Sequence, residues 1–102
     1  MIDTKDLEEA IIEMTKEDWC GLYEVIWHMN QAQPDGSESN KIKAARSVVA
    51  SLLERGVIQV GWLEWPKGGP PTTVPAADAI KLLSDPKSWQ PAQRYLVVWS
   101  DT

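Results

Sequence analysis

The 102-residue chain has no phenylalanine, one cysteine and one histidine. With Cys20 alone, no internal disulfide can form and no thiol framework for zinc or an iron–sulfur cluster exists, so a reducing, cytoplasmic setting is expected. His28 would have to serve any Ser-His-Asp or Cys-His arrangement. The helical pattern puts Cys20 and His28 on one helix, roughly 12 Å apart along its axis at about 1.5 Å per residue, which is too far for a dyad. No window approaches the roughly 18 apolar residues of a membrane span, and residues 1–7 carry Asp3 and Asp6 in place of an apolar leader. Gly68-Gly69 lacks the Lys-Ser/Thr that completes a phosphate loop, and the carboxylates are too scattered to converge on a metal. The expectation is a non-enzymatic protein with no catalytic residue, metal or cofactor, and no membrane association.

The residues that are present suit one globular domain spanning 1–102. Hydrophobic residues make up 43% and charged residues 25% of the chain, which is ordinary for a folded domain and outside the disordered class. Charge is unevenly spread. Residues 1–38 hold ten acids and two bases, a balance of −8, and residues 39–102 hold eight bases and five acids, a balance of +3. A dedicated nucleic-acid binder is usually basic, whereas this chain carries −5 overall. Six tryptophans stand out. Trp19, Trp62 and Trp99 are expected in the core, and Trp65 and Trp89, beside prolines, are expected to be exposed.

Hydrophobic spacing gives the elements. Thr4 caps a short helix with Leu7, Ile11 and Met14 on one face and Asp6, Glu8 and Glu9 in its first turns. Thr15 and Asp18 read as a capping box that starts a second helix over residues 16–31, with Trp19, Leu22, Tyr23, Ile26 and Met29 inward and Glu17, Glu24 and His28 outward. Glu24 and His28, four apart, are spaced to pair on that solvated face. Gln33-Pro34-Asp35-Gly36-Ser37 is a turn cluster. Ser37 or Ser39 caps a helix to about Arg55 whose stripe is Ile42, Ala45, Val49, Leu52 and Leu53, closed by Gly56. Residues 57–63 form a strand, with Ile58, Val60 and Trp62 on one side. The stretch from Trp65 to Pro71 is a projecting loop, since prolines and glycines there deny it donors and order. Pro75 opens a helix buried through Ala76, Ala79, Ile80 and Leu83 that ends before Pro86, and residues 95–99 pair as a strand with residues 57–63. The fold class is α+β, with three to four helices and a two- or three-stranded antiparallel sheet.

The order helix, turn, helix, glycine, strand, long loop, strand resembles a winged-helix domain over about residues 16–63 and 94–100. Ala45-Arg46-Ser47-Val48-Val49-Ala50-Ser51-Leu52-Leu53-Glu54-Arg55-Gly56-Val57-Ile58 carries most of the likeness. Two features depart from it. Only residues 34–40 are left for a positioning helix, and the wing is stretched to about thirty residues with a helix of its own. The resemblance implies groove-facing Lys43, Arg46 and Ser47, with Lys41 beside them. Lys41, Lys43, Arg46 and Arg55 would neutralise a few phosphates, but a bidentate base reader is missing from that strip.

Two functional expectations follow. In the first, the protein engages a basic protein partner through Glu13, Glu17 and Glu24 with Trp65 and Trp89 as anchors, as a small acidic inhibitor or immunity-type protein masking a nucleic-acid-binding surface would. In the second, it is a homodimeric winged-helix regulator that binds DNA through Lys41, Lys43, Arg46 and Ser47.

Overall fold

The computed structural model describes residues 4–17, 19–32, 37–64 and 70–100. Helix α1 spans Thr4–Glu17, a two-residue strand β1 spans Cys20–Gly21, and helices α2 and α3 span Leu22–Ala32 and Glu38–Glu54. Strands β2 (Ile58–Glu64) and β3 (Thr72–Val74), helix α4 (Ala76–Leu83), a 3-10 turn (Pro86–Trp89) and strand β4 (Arg94–Ser100) follow among the described residues. The expected α+β class holds, with four helices and one four-stranded sheet in the order β1-β4-β2-β3 among the described residues. Every pairing is antiparallel. The expected partnership of the two long strands is present, running from Ile58 opposite Ser100 to Glu64 opposite Arg94. The sheet has one strand more than the sequence reading allowed, because β1 and β3 are too short to leave an alternating pattern.

Capping chemistry sets the ends of α3. The Ser37 hydroxyl accepts from the Asn40 N–H at 3.2 Å, which satisfies one of the donors a helix start leaves open. At the other end Gly56 takes φ +72, and the N–H groups of Gly56 and Val57 return to the carbonyls of Leu53 and Leu52. Only glycine adopts that left-handed turn without strain. The turn delivers the chain directly into β2.

The second helix is where the sequence reading needs correction. Thr15 does not cap a new helix. It lies inside α1, buried, with its hydroxyl donating to the Ile12 carbonyl at 2.9 Å, an internal back-bond that Thr makes within helices. The chain leaves helical geometry before Trp19, pairs Cys20 and Gly21 with Val98 and Val97, and only then begins α2. Cys20 and His28 therefore do not share a helix. Trp19, expected in the core, is 43% exposed, because the break rotates it off the face that Leu22, Val25, Ile26 and Met29 bury. Helix α2 stands where a helix over residues 16–31 was expected, and of the segment 34–40 left for a positioning helix, Glu38, Ser39 and Asn40 already belong to α3. The arrangement is compatible with a winged-helix topology.

The core lies between the helices and one face of the sheet. Leu7 and Ile11 of α1, Val49 and Leu52 of α3, and Ala79 and Leu83 of α4 meet Ile58, Val60, Leu96 and Val98. Each fully buried aliphatic side chain contributes about 1.5–3 kcal/mol. Trp89 belongs to this core at 2% exposure, contrary to its expected place on the surface. Its indole N–H donates to the Leu83 carbonyl at 3.0 Å, which explains how a polar handle is accommodated there. Trp62 and Trp99 are half-buried. The turn cluster at residues 33–36 and most of the loop after Glu64 lie outside the described residues.

Candidate functional site

Side chains alternate across a strand, so the sheet has a second face directed away from the core. On it Val97 of β4 stands opposite Gly21 of β1 on one side and Gly61 of β2 on the other. Aromatic rings rest on both glycines. A Cβ at Gly21 would lie 2.5 Å from Cε1 of Tyr23, and one at Gly61 would lie 2.8 Å from Cη2 of Trp99. Flanked this way, Val97 is only 1% exposed although it points from the core. The two glycines are thus sites of close approach by aromatic rings.

Tyr23 is the centre of this aromatic layer. Its ring meets Trp27, one helical turn on, with centroids 4.9 Å apart and planes at 73°, and meets Tyr95 of β4 at 5.5 Å and 74°. Both contacts are edge-to-face, the arrangement aromatic quadrupoles favour. Beside them Tyr23, Tyr95, Pro91, Ala92 and Gln93 line an open hollow of about 610 Å³. Trp27 is 55% exposed.

Glu24 supports the layer from behind. Its Oε2 accepts the Gly21 N–H at 2.6 Å, a charge-assisted bond that also occupies a donor of β1. Glu24 is half-buried rather than on a solvated face. Burial, followed by the Glu24 charge, pushes the Cys20 thiol up to about 12. The same two causes, with smaller contributions from Tyr95 and Cys20, raise the Tyr23 phenol above its ordinary value. Cys20 is therefore a protonated, buried thiol at neutral pH, and a thiol in that state is a poor nucleophile.

The remaining sequence-predicted residues are dispersed. Glu13 is exposed and pairs with Lys16 at 3.3 Å, one turn along α1, so part of the acidic face is internally neutralised. The backbone of Glu17 closes α1, while its side chain, like the whole of Trp65, lies outside the description. Lys41 is 4% exposed, and its Nζ donates to Asn30 Oδ1 at 2.8 Å. It ties α3 to α2 and does not flank a phosphate-facing strip. Arg55 pairs with Glu8 of α1. Lys43 and Ser47 are exposed on α3 and Arg46 is half-buried, which leaves a narrower basic surface than four bases suggested.

Sequence reasoning missed the aromatic layer. Tyr23 falls on the core stripe of a continuous helix, and Tyr95 reads as an ordinary strand residue. The signal available was the spacing Gly21-x-Tyr23-x-x-x-Trp27, a glycine followed by aromatics one turn apart. Its meaning depends on which strand pairs with Gly21. Among the described residues no group of three or more His, Cys, Asp or Glu side chains is placed to hold a metal ion, and no helix is long and apolar enough to cross a membrane. Searches of family models, curated proteins and solved structures found no match to the chain.

Proposed function

We propose that the chain is a non-enzymatic binding module that engages a basic protein partner, as a small acidic inhibitor or immunity-type protein does when it masks a nucleic-acid-binding surface. The observation that carries this reading is the Tyr23, Trp27 and Tyr95 layer beside an open hollow. Tyrosine and tryptophan are the residues on which interface energy concentrates, since they bury much area at small conformational cost. The net charge of −5 favours a basic partner and speeds its approach. Glu9 adds exposed acid on α1. Trp89 is withdrawn as an anchor because it is core, and Trp27 takes its place.

A second reading is favoured by the order of the elements. With α2 ahead of α3 and the turn at Gly56 leading into β2, a winged-helix assignment makes α3 the recognition helix and presents Lys43 and Ser47. On that reading the protein is a dimeric DNA-binding regulator.

One comparison separates them. Immobilised wild type, Trp27→Ala and Lys43→Glu proteins are exposed to source lysate with and without nuclease. Retention of a basic protein after nuclease treatment, lost with Trp27→Ala and kept with Lys43→Glu, supports the partner-binding reading. Retention of a defined DNA fragment that disappears with Lys43→Glu, and weakens as salt rises, would replace it with the regulator.

A further inference from the structure

We infer that the sheet face directed away from the helices is the interface of a symmetric homodimer, in which each copy covers Leu63, Tyr95 and Trp99 of the other. An antiparallel sheet with one face on a core ordinarily alternates apolar and polar residues. Strand β4 does not. Leu96 and Val98 enter the helical core, while Tyr95, Val97 and Trp99 occupy the other face, so the strand is apolar on both sides, as strands covered on both sides are. Gln59, Gly61 and Leu63 of β2 stand opposite Trp99, Val97 and Tyr95. Leu63, Tyr95 and Trp99 are only half-buried. Among the described residues, α1, α3 and α4 all pack on the opposite side of the sheet.

Charge names the occupant. Register places Gly21 of β1 and Thr73 of β3 on the same face, and none of its strand positions holds a charged residue. The chain as a whole carries −5, so this face lets two copies meet without setting like charges against each other. Helix α1, with its exposed Glu9, lies on the far side of the sheet. In a face-to-face pair the two acidic helices are therefore outermost, with both sheets, about 10 Å apart, between them. A basic partner finds no carboxylate at these strand positions, whereas a second copy offers the same uncharged surface, and a two-fold axis makes such a patch self-complementary. Four strands about 4.8 Å apart, the longest of seven residues, frame roughly 450 Å² on each copy. With the Tyr23 ring over Gly21, two copies reach about 1,000 Å², the lower limit of a specific interface. The dimer is thus one that forms at high concentration and separates on dilution.

This inference goes beyond the partner-binding reading and does not rest on it, since the dimer uses strand residues and Trp27 lies on α2. The test is sedimentation of the full chain from about 10 µM to about 1 mM at low and high salt, where mass action converts monomer to dimer. The expected mass rises from 11.4 kDa toward twice that value, and added salt does not reverse the rise, because no ion pair holds the face together. Leu63→Lys and Thr73→Lys each place like charges across the interface and should weaken association by about tenfold or more. Glu9→Gln, on the helical layer, should not weaken it. Thr73 is exposed on a short edge strand, so its variant remains folded even where Leu63→Lys does not, and circular dichroism checks both. In a mixture of differently isotope-labelled copies, intermolecular NOEs should join the Leu63 methyls to the Trp99 or Tyr95 ring.

A mass that stays at 11.4 kDa over the whole range would overturn the inference. So would a dimer that folded Thr73→Lys leaves unchanged, or one that salt dissolves, since either uses another surface. The two levels fail separately. A partner captured through Trp27 by a chain that is always monomeric removes the dimer and leaves partner binding. Self-association lost with Thr73→Lys, with no captured partner, removes the proposed function and leaves the dimer.

Discussion

The indole N–H of Trp89 donates to the carbonyl of Leu83 at 3.0 Å, tying the 3-10 turn back onto the end of α4. The bond anchors the segment that leads to Pro91 and the hollow. Trp27, by contrast, is 55% exposed. Trp89→Ala should therefore destabilise the fold by about 3–5 kcal/mol, whereas Trp27→Ala should cost only about 0.5–1.5 kcal/mol, the value of its edge-to-face contact with Tyr23. Urea unfolding of both variants checks this. Comparable losses would mean that Trp27 is structural.

Gly61 and Gly21 both carry rings, but their neighbours differ in their ability to move. A Cβ at Gly61 would lie 2.7 Å from the backbone carbonyl of Thr72 as well as against Trp99. Gly61→Ala should cost about 1–3 kcal/mol, the range for overpacking. At Gly21 the close atoms belong to the Tyr23 ring alone, which can rotate away. Gly21→Ala should lower stability less and shift the ring resonances of Tyr23, Trp27 and Tyr95 more. Urea midpoints and NMR spectra of the two variants measure the contrast.

Lys41 joins α3 to Asn30 and is buried. Lys41→Met keeps the aliphatic stem and removes the charge-assisted bond, so a loss of about 1–3 kcal/mol is expected. Lys43→Met, at an exposed position, should be nearly neutral. Equal effects in thermal or urea unfolding would show that the Lys41 bond contributes nothing.

Cys20 makes stability depend on alkaline pH. Burial, then the Glu24 charge, lifts its thiol from 9.0 to about 12. Because the unfolded chain ionises first, it binds fewer protons than the native state above pH 9, and stability falls as pH rises. The contribution is complete below pH 9 and is lost between pH 9 and 12. The Tyr23 phenol, also raised, adds a loss of the same sign that begins higher, near its ordinary value of 10.0. Urea unfolding from pH 8 to 11 should give a steeper decline for wild type than for Cys20→Ala. In the native protein at pH 8, iodoacetamide should leave Cys20 unmodified until urea unfolds the chain.

Much of this protein is determined by local sequence. The start of α3 at Ser37, its end at Gly56 and the opening of α4 after Pro75 all follow from short-range rules. A side-chain cap, a residue free to adopt positive φ and a fixed proline φ act within a few residues. The acidic front and the absence of thiol frameworks are likewise properties of composition. The tertiary structure decided what the tryptophans and tyrosines do. Helical spacing runs almost unbroken from Leu7 to Met29, and only the pairing of Cys20-Gly21 with β4 interrupts it, turning Trp19 outward and placing Tyr23 against Gly21. Proline neighbours suggested an exposed Trp89, yet the chain folds it under α4, where the Leu83 carbonyl satisfies its N–H. The aromatic layer has the same origin. Its residues come from α2 and β4, some seventy positions apart in the chain, and no local rule acts over that distance. They meet because a cross-strand glycine leaves room for a ring, a steric fact that exists only once the strands are paired.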